Sequence, residues 1–171
     1  LTGLRGCERR GIGWAGVQGE LIAALHRAGK KVVLGNCSGS PIGLEPETGR
    51  CGAILQAWYP GQAGGTAVAE VLFGDYNPAG RLPVTFYRNV SQLPDFEDYN
   101  MTGRTYRYMT QEPLFPFGHG LSYTAFCYGA VVLGSDNIKS GEKLRLNVPV
   151  TNTGKCDGEE VVQVYLKKND D

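Results

Sequence analysis

Two helix-forming and two strand-forming segments alternate along the first half of the chain, and this order restricts the fold more than any other feature. Residues 17–28 carry apolar side chains at helical spacing, and Gly29 suits a left-handed stop. The apolar run at 30–35 has the composition of a strand buried on both faces. Residues 53–58 repeat the strand pattern and, after a glycine-rich turn, residues 66–73 repeat the helical one. This alternation predicts an α/β fold in which helices cover parallel strands.

The segment after Gly74 predicts little regular structure. Residues 75–80 have the composition of a turn, and 81–86 predict a short edge strand because Pro83 cannot donate a hydrogen bond to a ladder. Residues 87–124 are rich in aromatic side chains and predict one long irregular loop. Compact domains seldom keep such a loop without a purpose, so it is either functional or packed as a strap across a neighbouring surface. We favour the strap.

The last part of the chain has the pattern of β-structure. Residues 143–150 alternate apolar and polar side chains, which predicts a strand with one buried face, and 161–166 predict another strand. A sandwich of the fibronectin or immunoglobulin type needs about seven strands and about 100 residues, so the sandwich is incomplete here. We therefore expect a fragment of a longer polypeptide. Its expected domains are a partial α/β sandwich over 1–124 and a truncated β-sandwich over 125–171.

Charge and composition exclude several classes of function. The 17 basic and 17 acidic residues balance, which argues against a nucleic-acid partner or an anionic membrane surface. The two histidines have no metal-ligand spacing around them, so no metal is expected. The glycine-rich turn at 61–65 lacks both G-x-G-x-x-G and G-K-[S/T], so close packing of helix on sheet explains it better than a nucleotide. No cofactor is expected.

One local pattern suggests nucleophilic catalysis. Cys37 follows a predicted strand in the sequence GNCSG, which has the form of an elbow that exposes a nucleophile. Such an elbow runs directly into a helix, whereas Pro41, Gly43 and Pro46 follow here, and each disfavours a helix. A Cys37-dependent hydrolase is therefore an alternative to a small residue in a tight turn, and the turn is favoured.

The aromatic loop and the acidic residues are the other candidates for a site. Arg104, Tyr106 and Tyr108 are candidate substrate-binding residues, since aromatic faces and arginine forks can hold sugar rings. The same side chains can instead fasten the loop to the protein, and this alternative is favoured. Two carboxylates could serve as acid and nucleophile of a glycosidase, but sequence spacing pairs none of the candidates. These are Glu8, Glu20, Glu45, Glu47, Asp75, Asp95, Glu97 and Asp98.

Several longer motifs, in one order along the chain, closely resemble glycoside hydrolase family 3. They are AWYPGQAGG at 57–65, LFGDYNPAGRLP at 72–83, GRTYRY at 103–108 and PFGHGLSYT at 116–124. The resemblance is strongest to the β-xylosidase and β-glucosidase branch. The sequences NTG at 152–154 and GEEVVQVY at 158–165 resemble the start of that family's fibronectin type III-like domain.

The resemblance implies a retaining β-glycosidase that hydrolyses terminal β-xylosyl or β-glucosyl residues of a glycoside or oligosaccharide. Members of the family have an N-terminal barrel with the aspartate nucleophile, then an α/β domain with the acid/base glutamate. The barrel is the partner that this chain lacks, so the isolated chain is expected to be inactive. Residues 3–9 resemble a turn after the acid/base, which places that glutamate upstream of Leu1. Glu8 is the alternative acid/base. A noncatalytic carbohydrate-binding or packing module is the rival function, and the expected location is extracellular or periplasmic.

Overall fold

The computed structural model describes residues 11–14 and 17–167. Glu8, the candidate acid/base, lies outside these residues. The regular elements are short. Helices and strands alternate in the first half of the chain, as expected for an α/β fold, and β-structure follows at the end. They are α1 (Val17–Arg27), β1 (Val33–Asn36), α2 (Glu45–Thr48), β2 (Ala53–Gln56), α3 (Gly64–Phe73), a 3₁₀ turn (Val90–Gln92), α4 (Thr105–Tyr108), β3 (Phe126–Tyr128), β4 (Val132–Leu133), β5 (Leu146–Asn147) and β6 (Val150–Asn152).

The α/β layer confirms the predicted fold class. Strands β1 and β2 pair in parallel, with Leu34 opposite Ile54 in the register. Helix α3 ends at Gly74, whose φ of 84° is left-handed, so a glycine is favoured there. The prediction that β1 is buried on both faces is wrong, because Val33 is 55% exposed. In the described part of the chain this sheet has only these two parallel strands.

The buried core lies between this layer and the aromatic segments that follow it. Ile42, Leu44 and Phe86 form its centre. Phe86 is 1% exposed, and its ring meets Trp58 and Phe115 edge-on, at a centroid distance of 6.2 Å in both pairs. Edge-to-face contacts of this kind add to the stabilisation from burial of the ring. The core therefore joins the loop after β1, the end of β2 and the base of the long loop.

Segment 81–86 does not form the predicted edge strand. Among the described residues, its backbone pairs with distant segments only near its ends. The amide of Leu82 donates to the carbonyl oxygen of His119, and the amide of Phe86 donates to that of Phe115, both at 2.8 Å. Phe86 and Phe115 form an isolated bridge instead of a ladder. Pro83 has no N–H group to extend the pairing between these two points. The long loop from 87 onward is irregular as predicted, apart from the 3₁₀ turn and α4.

The end of the chain forms two small antiparallel pairs, β3 with β6 and β4 with β5. The strand predicted over 143–150 is split into β5 and the start of β6, because Pro149 lies between them and cannot donate to a ladder. The strand predicted over 161–166 is absent from the described structure, since this segment lies beside no ladder partner. None of the helices in the described ranges is long and apolar enough to cross a membrane.

Candidate functional site

A cleft of about 360 Å³ opens where the long loop crosses the α/β layer. Three separate stretches of chain form its walls: the loop after β1, the extended segment before and after Phe86, and the region around α4 with the turn that follows it. The lining residues are Pro41, Pro83, Val84, Thr85, Tyr87, Thr105, Tyr106 and Phe117. None of these side chains carries a charge, and five of them contribute a ring.

The wall formed by α4 depends on a strained residue. Thr105 has a φ of 56°, a left-handed value that costs a β-branched residue about 1–3 kcal/mol. Arg104 holds the preceding loop in place: its Nε donates to the carbonyl oxygen of Asn100 at 2.7 Å, and its Nη2 donates to that of Asp98. The backbone N–H and the side chain of Asn100 donate to the carboxylate of Asp98, which lowers the pKa of Asp98. Arg104 thus holds the backbone of the loop that precedes it.

Tyr106 is the predicted site residue that lines the cleft. Its ring stacks on Phe117, with centroids 4.7 Å apart and an angle of 25° between the planes, and Tyr165 meets it edge-on. Tyr106 nevertheless remains 47% exposed. Tyr108 is 49% exposed but is not among the lining residues. The structure therefore separates the three candidates, with Tyr106 in the cleft, Arg104 beneath its wall and Tyr108 outside it.

Thr85 is a cleft residue that the sequence did not single out. Its hydroxyl oxygen is buried and makes no hydrogen bond within the described part of the chain. A buried polar group without a partner costs about 1–3 kcal/mol, so it calls for an explanation. Nothing near Thr85 in the sequence signals this position, because the cleft arises only when distant segments meet. Phe117 could have been found, since it lies in the PFGHGLSYT motif.

The glycine-rich loop after β1 holds a buried polar cluster instead of a catalytic elbow. The side-chain amide of Asn36 donates to the hydroxyl oxygen of Ser38 at 3.1 Å and to the side-chain oxygen of Gln56 at 2.5 Å. Cys37 is exposed, and no helix begins between it and α2, eight residues further on. The helix that follows the nucleophile directly in such an elbow is therefore missing from this part of the described structure. This geometry favours the structural interpretation of the GNCSG sequence.

Two of the acidic candidates, Glu45 and Glu47, have arginine neighbours. Arg88 lies 3.5 Å from the carboxylate of Glu45 and 3.6 Å from that of Glu112. Glu47 is 2% exposed and lies 3.8 Å from Arg50. These contacts assign the carboxylates to ion pairs of the scaffold. They do not bring two carboxyl groups together in the arrangement that glycoside hydrolysis requires.

A second polar region joins the α/β layer to the β-structure at the end of the chain. The side chain of Asn77 donates to the carbonyl oxygen of Asp157 and accepts from the amide of Tyr123, at 3.0 and 2.7 Å. Arg81 and Glu160 form an ion pair at 2.8 Å, with only 11% and 15% of their side chains exposed. Gly120 lies against this region so closely that a Cβ there would come 2.4 Å from the carbonyl oxygen of Gly80. We call this region, comprising Asn77, Arg81, Gly120 and Glu160, the seam.

His119, next to the seam, makes stability depend on pH. Its ring stacks on Phe115, and burial, followed by the nearby charge of Arg81, lowers the pKa of His119. The unfolded chain therefore binds a proton at the ordinary pKa of about 6.5, before the folded one does. The stabilisation that neutral His119 gives the folded chain is fully present above that pH. It is lost progressively as the pH falls below it. We expect the melting temperature to drop between pH 7 and 5, and to drop less in His119→Phe. Parallel curves of melting temperature against pH for the two proteins would contradict this.

Comparison with known proteins identifies the family. Residues 5–123 match the family described as "Glycosyl hydrolase family 3 C-terminal domain". The chain is 54% identical over 171 residues to a xylan 1,4-β-xylosidase from Xylanibacter ruminicola. This alignment covers the whole of the chain and 20% of the relative. It is 44% identical over 162 residues to a periplasmic β-glucosidase from Salmonella typhimurium, covering 88% of the chain and 21% of the relative. The chain thus spans about a fifth of the length of these relatives.

Solved structures lead to the same assignment. A β-glucosidase from Erythrobacter marinus superimposes with a TM-score of 0.72 at 46% identity, over 85% of this chain and 20% of that one. A β-glucosidase from Streptomyces venezuelae, solved with D-glucose, gives a TM-score of 0.71 at 34% identity, over 86% and 20% of the two chains. These neighbours share the α/β arrangement described above. The chain belongs to glycoside hydrolase family 3, and its residues 5–123 are the C-terminal domain of that family.

Proposed function

We propose that this chain forms part of a retaining β-glycosidase that removes terminal β-xylosyl or β-glucosyl residues from glycosides and oligosaccharides. The observation that carries the proposal is the family match over residues 5–123, together with relatives that are named as a β-xylosidase and as a periplasmic β-glucosidase. The chain contributes the C-terminal domain of the enzyme. A barrel domain elsewhere in the enzyme supplies the aspartate nucleophile.

The exposed apolar side chains support the view that this chain works against another domain. Val17 and Leu21 on α1 are 73% and 60% exposed, and Phe73 at the end of α3 is 84% exposed. Large apolar surfaces of soluble domains usually mark interaction sites. In an α/β domain that packs against a barrel, such side chains would be buried at the contact with the barrel. A self-contained module would instead bury them within itself.

The organisation of the enzyme follows from the same proposal. Residues 1–124 complete the α/β domain, and 125–171 begin a fibronectin type III-like domain that docks through the seam. Glu8 or a glutamate before Leu1 acts as the acid/base. Of the remaining substrate-binding candidates, Tyr106 contacts the sugar, Arg104 positions the loop that carries it, and Tyr108 lies outside the cleft. The periplasmic relative supports an extracellular or periplasmic location.

The test compares the complete enzyme with the isolated chain. The full-length protein that contains this chain is expected to hydrolyse aryl β-xylosides or β-glucosides, and proton NMR of the first product should show the β-anomer. Residues 1–171 alone are expected to give no turnover above buffer, because retention requires two carboxyl groups about 5–5.5 Å apart, of which the barrel supplies one. Turnover by the isolated chain, or an inverted product from the complete enzyme, would overturn the proposal.

A noncatalytic carbohydrate-binding role is the second candidate, and the uncharged aromatic cleft favours it. The two roles are compatible within one enzyme. A noncatalytic module alone would bind a sugar without any turnover, even in the complete protein.

A further inference from the structure

We propose that Tyr165, in the last part of the chain, is a positioning residue for Tyr106 and so sets how tightly the enzyme binds its glycoside. The effect on affinity rests on the function proposed above, in which Tyr106 contacts the sugar. The placement of the two rings is independent of that function.

The helix that carries Tyr106 is too short to orient this side chain by itself. Helix α4 has four residues, and the side chain of Arg104 at its N-cap makes no capping hydrogen bond. Isolated helices of this length are unstable in water, so tertiary contacts decide how such a turn is placed. Thr105, directly before Tyr106, also has a left-handed backbone that surrounding contacts must maintain. The ring of Tyr106 therefore depends on its neighbours for its orientation.

Two rings from different parts of the chain contact Tyr106. Phe117, in the α/β part, stacks on it with centroids 4.7 Å apart. Tyr165 meets it edge-on, at a centroid distance of 5.7 Å and an angle of 68° between the planes. Stacked and edge-on contacts are the favoured arrangements of aromatic pairs. One neighbour of each kind restricts the tilt of the Tyr106 ring.

The segment that carries Tyr165 is itself fastened to the α/β part of the chain. We call residues 157–165 the crossing segment. At its start, the carbonyl oxygen of Asp157 accepts from the side chain of Asn77 at 3.0 Å. Further along, Glu160 forms the largely buried ion pair with Arg81. The crossing segment thus leads from the seam towards the cleft.

Gln163 ties the crossing segment to the same wall of the cleft. Its side chain packs so closely on Gly118, the neighbour of Phe117, that a Cβ at Gly118 would collide with it. The hydroxyl of Tyr165 donates to the side-chain oxygen of Gln163. The ring that meets Tyr106 edge-on is therefore supported by the wall against which Tyr106 stacks.

This arrangement lets the last part of the chain influence substrate binding without touching the substrate. Tyr165 is not among the residues that line the cleft, whereas Tyr106 is. The Tyr106 ring takes no part in bond cleavage, so a poorly oriented ring weakens the ground state and the transition state equally. Loss of such uniform binding raises KM and leaves kcat unchanged.

The experiment measures KM and kcat of the complete enzyme with 4-nitrophenyl β-D-xylopyranoside and 4-nitrophenyl β-D-glucopyranoside. Tyr165→Ala is expected to raise KM about threefold to tenfold, the range for loss of one aromatic pair, and to leave kcat within about twofold. Tyr165→Phe keeps the ring, so its KM should stay within about twofold. Leu166→Ala is the matched control, because the adjacent Leu166 is 86% exposed and its removal should change neither constant.

A double-variant cycle tests whether Tyr165 acts through Tyr106. In the Tyr106→Ala background the ring to be positioned is gone, so adding Tyr165→Ala should change KM by less than about 1.5-fold. An equal rise of KM in both backgrounds would show that Tyr165 acts independently and would overturn the inference. An unchanged KM in Tyr165→Ala, or equal effects of Tyr165→Ala and Tyr165→Phe, would overturn it as well.

Melting temperatures check the fold of each variant and separate this inference from the proposed function. If Tyr165→Ala melts below the assay temperature, Tyr165→Leu takes its place, since it keeps an apolar contact without the ring. If the complete enzyme hydrolyses neither glycoside, the proposed function fails. The same cycle is then evaluated in melting temperatures, where coupled losses support the positioning of Tyr106 and additive losses overturn it. Normal hydrolysis with uncoupled Tyr106 and Tyr165 leaves the proposed function standing and overturns the inference.

Discussion

Replacing Phe86 by alanine is expected to lower the free energy of unfolding by about 3–5 kcal/mol. Phe86 is 1% exposed, and its ring contacts both Trp58 and Phe115 edge-on, so the substitution opens a cavity at the centre of the core. A loss of this size is a large part of the 5–15 kcal/mol that stabilises a typical domain. Urea denaturation followed by tryptophan fluorescence measures it.

Phe96→Ala is the matched control for this prediction. Phe96 is 91% exposed, so its removal should change the free energy of unfolding by no more than about 0.5 kcal/mol. Similar effects of the two substitutions would show that Phe86 does not lie at the centre of the core.

Replacing Arg81 by methionine is expected to cost about 3 kcal/mol of stability. Burial of an unpaired charge costs about 3–5 kcal/mol when one partner of a buried pair is removed. For the pair of Arg81 and Glu160 the cost should lie near the lower end of this range. The two side chains keep 11% and 15% of their surface exposed, so water still reaches the remaining charge. Arg81 also donates to the carbonyl oxygens of Ala79 and Gly80, so the substitution loosens the seam. Chemical denaturation measures the loss.

The double variant Arg81→Met with Glu160→Met tests the physical cause. It leaves no unpaired charge, so most of the lost stability should return. Glu112→Gln is the control for a surface pair, because Glu112 is 87% exposed and its contact with Arg88 is worth at most about 1 kcal/mol. A double variant as unstable as Arg81→Met alone would assign the loss to packing of the arginine instead.

Local patterns predicted the α/β layer well, because the signals that form it are themselves local. Helical spacing and a terminal glycine define α1 and α3, and two apolar runs define β1 and β2. The patterns failed where pairing decides the structure. An apolar sequence such as 161–166 becomes a strand only if a partner lies beside it, and the exposure of Val33 depends on what covers the sheet.

The candidate site was predicted in part. The sequence pointed to the aromatic residues of the long loop and so reached Tyr106, but it could not tell Tyr106 from Tyr108. That difference depends on α4, which places residues two positions apart on different faces of the helix. Thr85 and Pro41 were missed because each joins the cleft through a contact between distant parts of the chain. The role of Glu8 stays a prediction.

The bridge between Phe86 and Phe115 closes the base of a long excursion of the chain, residues 87–114. With the two ends tied together, doubling the length of such a loop costs only about 0.6 kcal/mol of closure entropy. Residues can therefore be inserted or exchanged within the excursion while the layer beneath it keeps its geometry. Connecting segments on a rigid scaffold tolerate such changes better than the scaffold does.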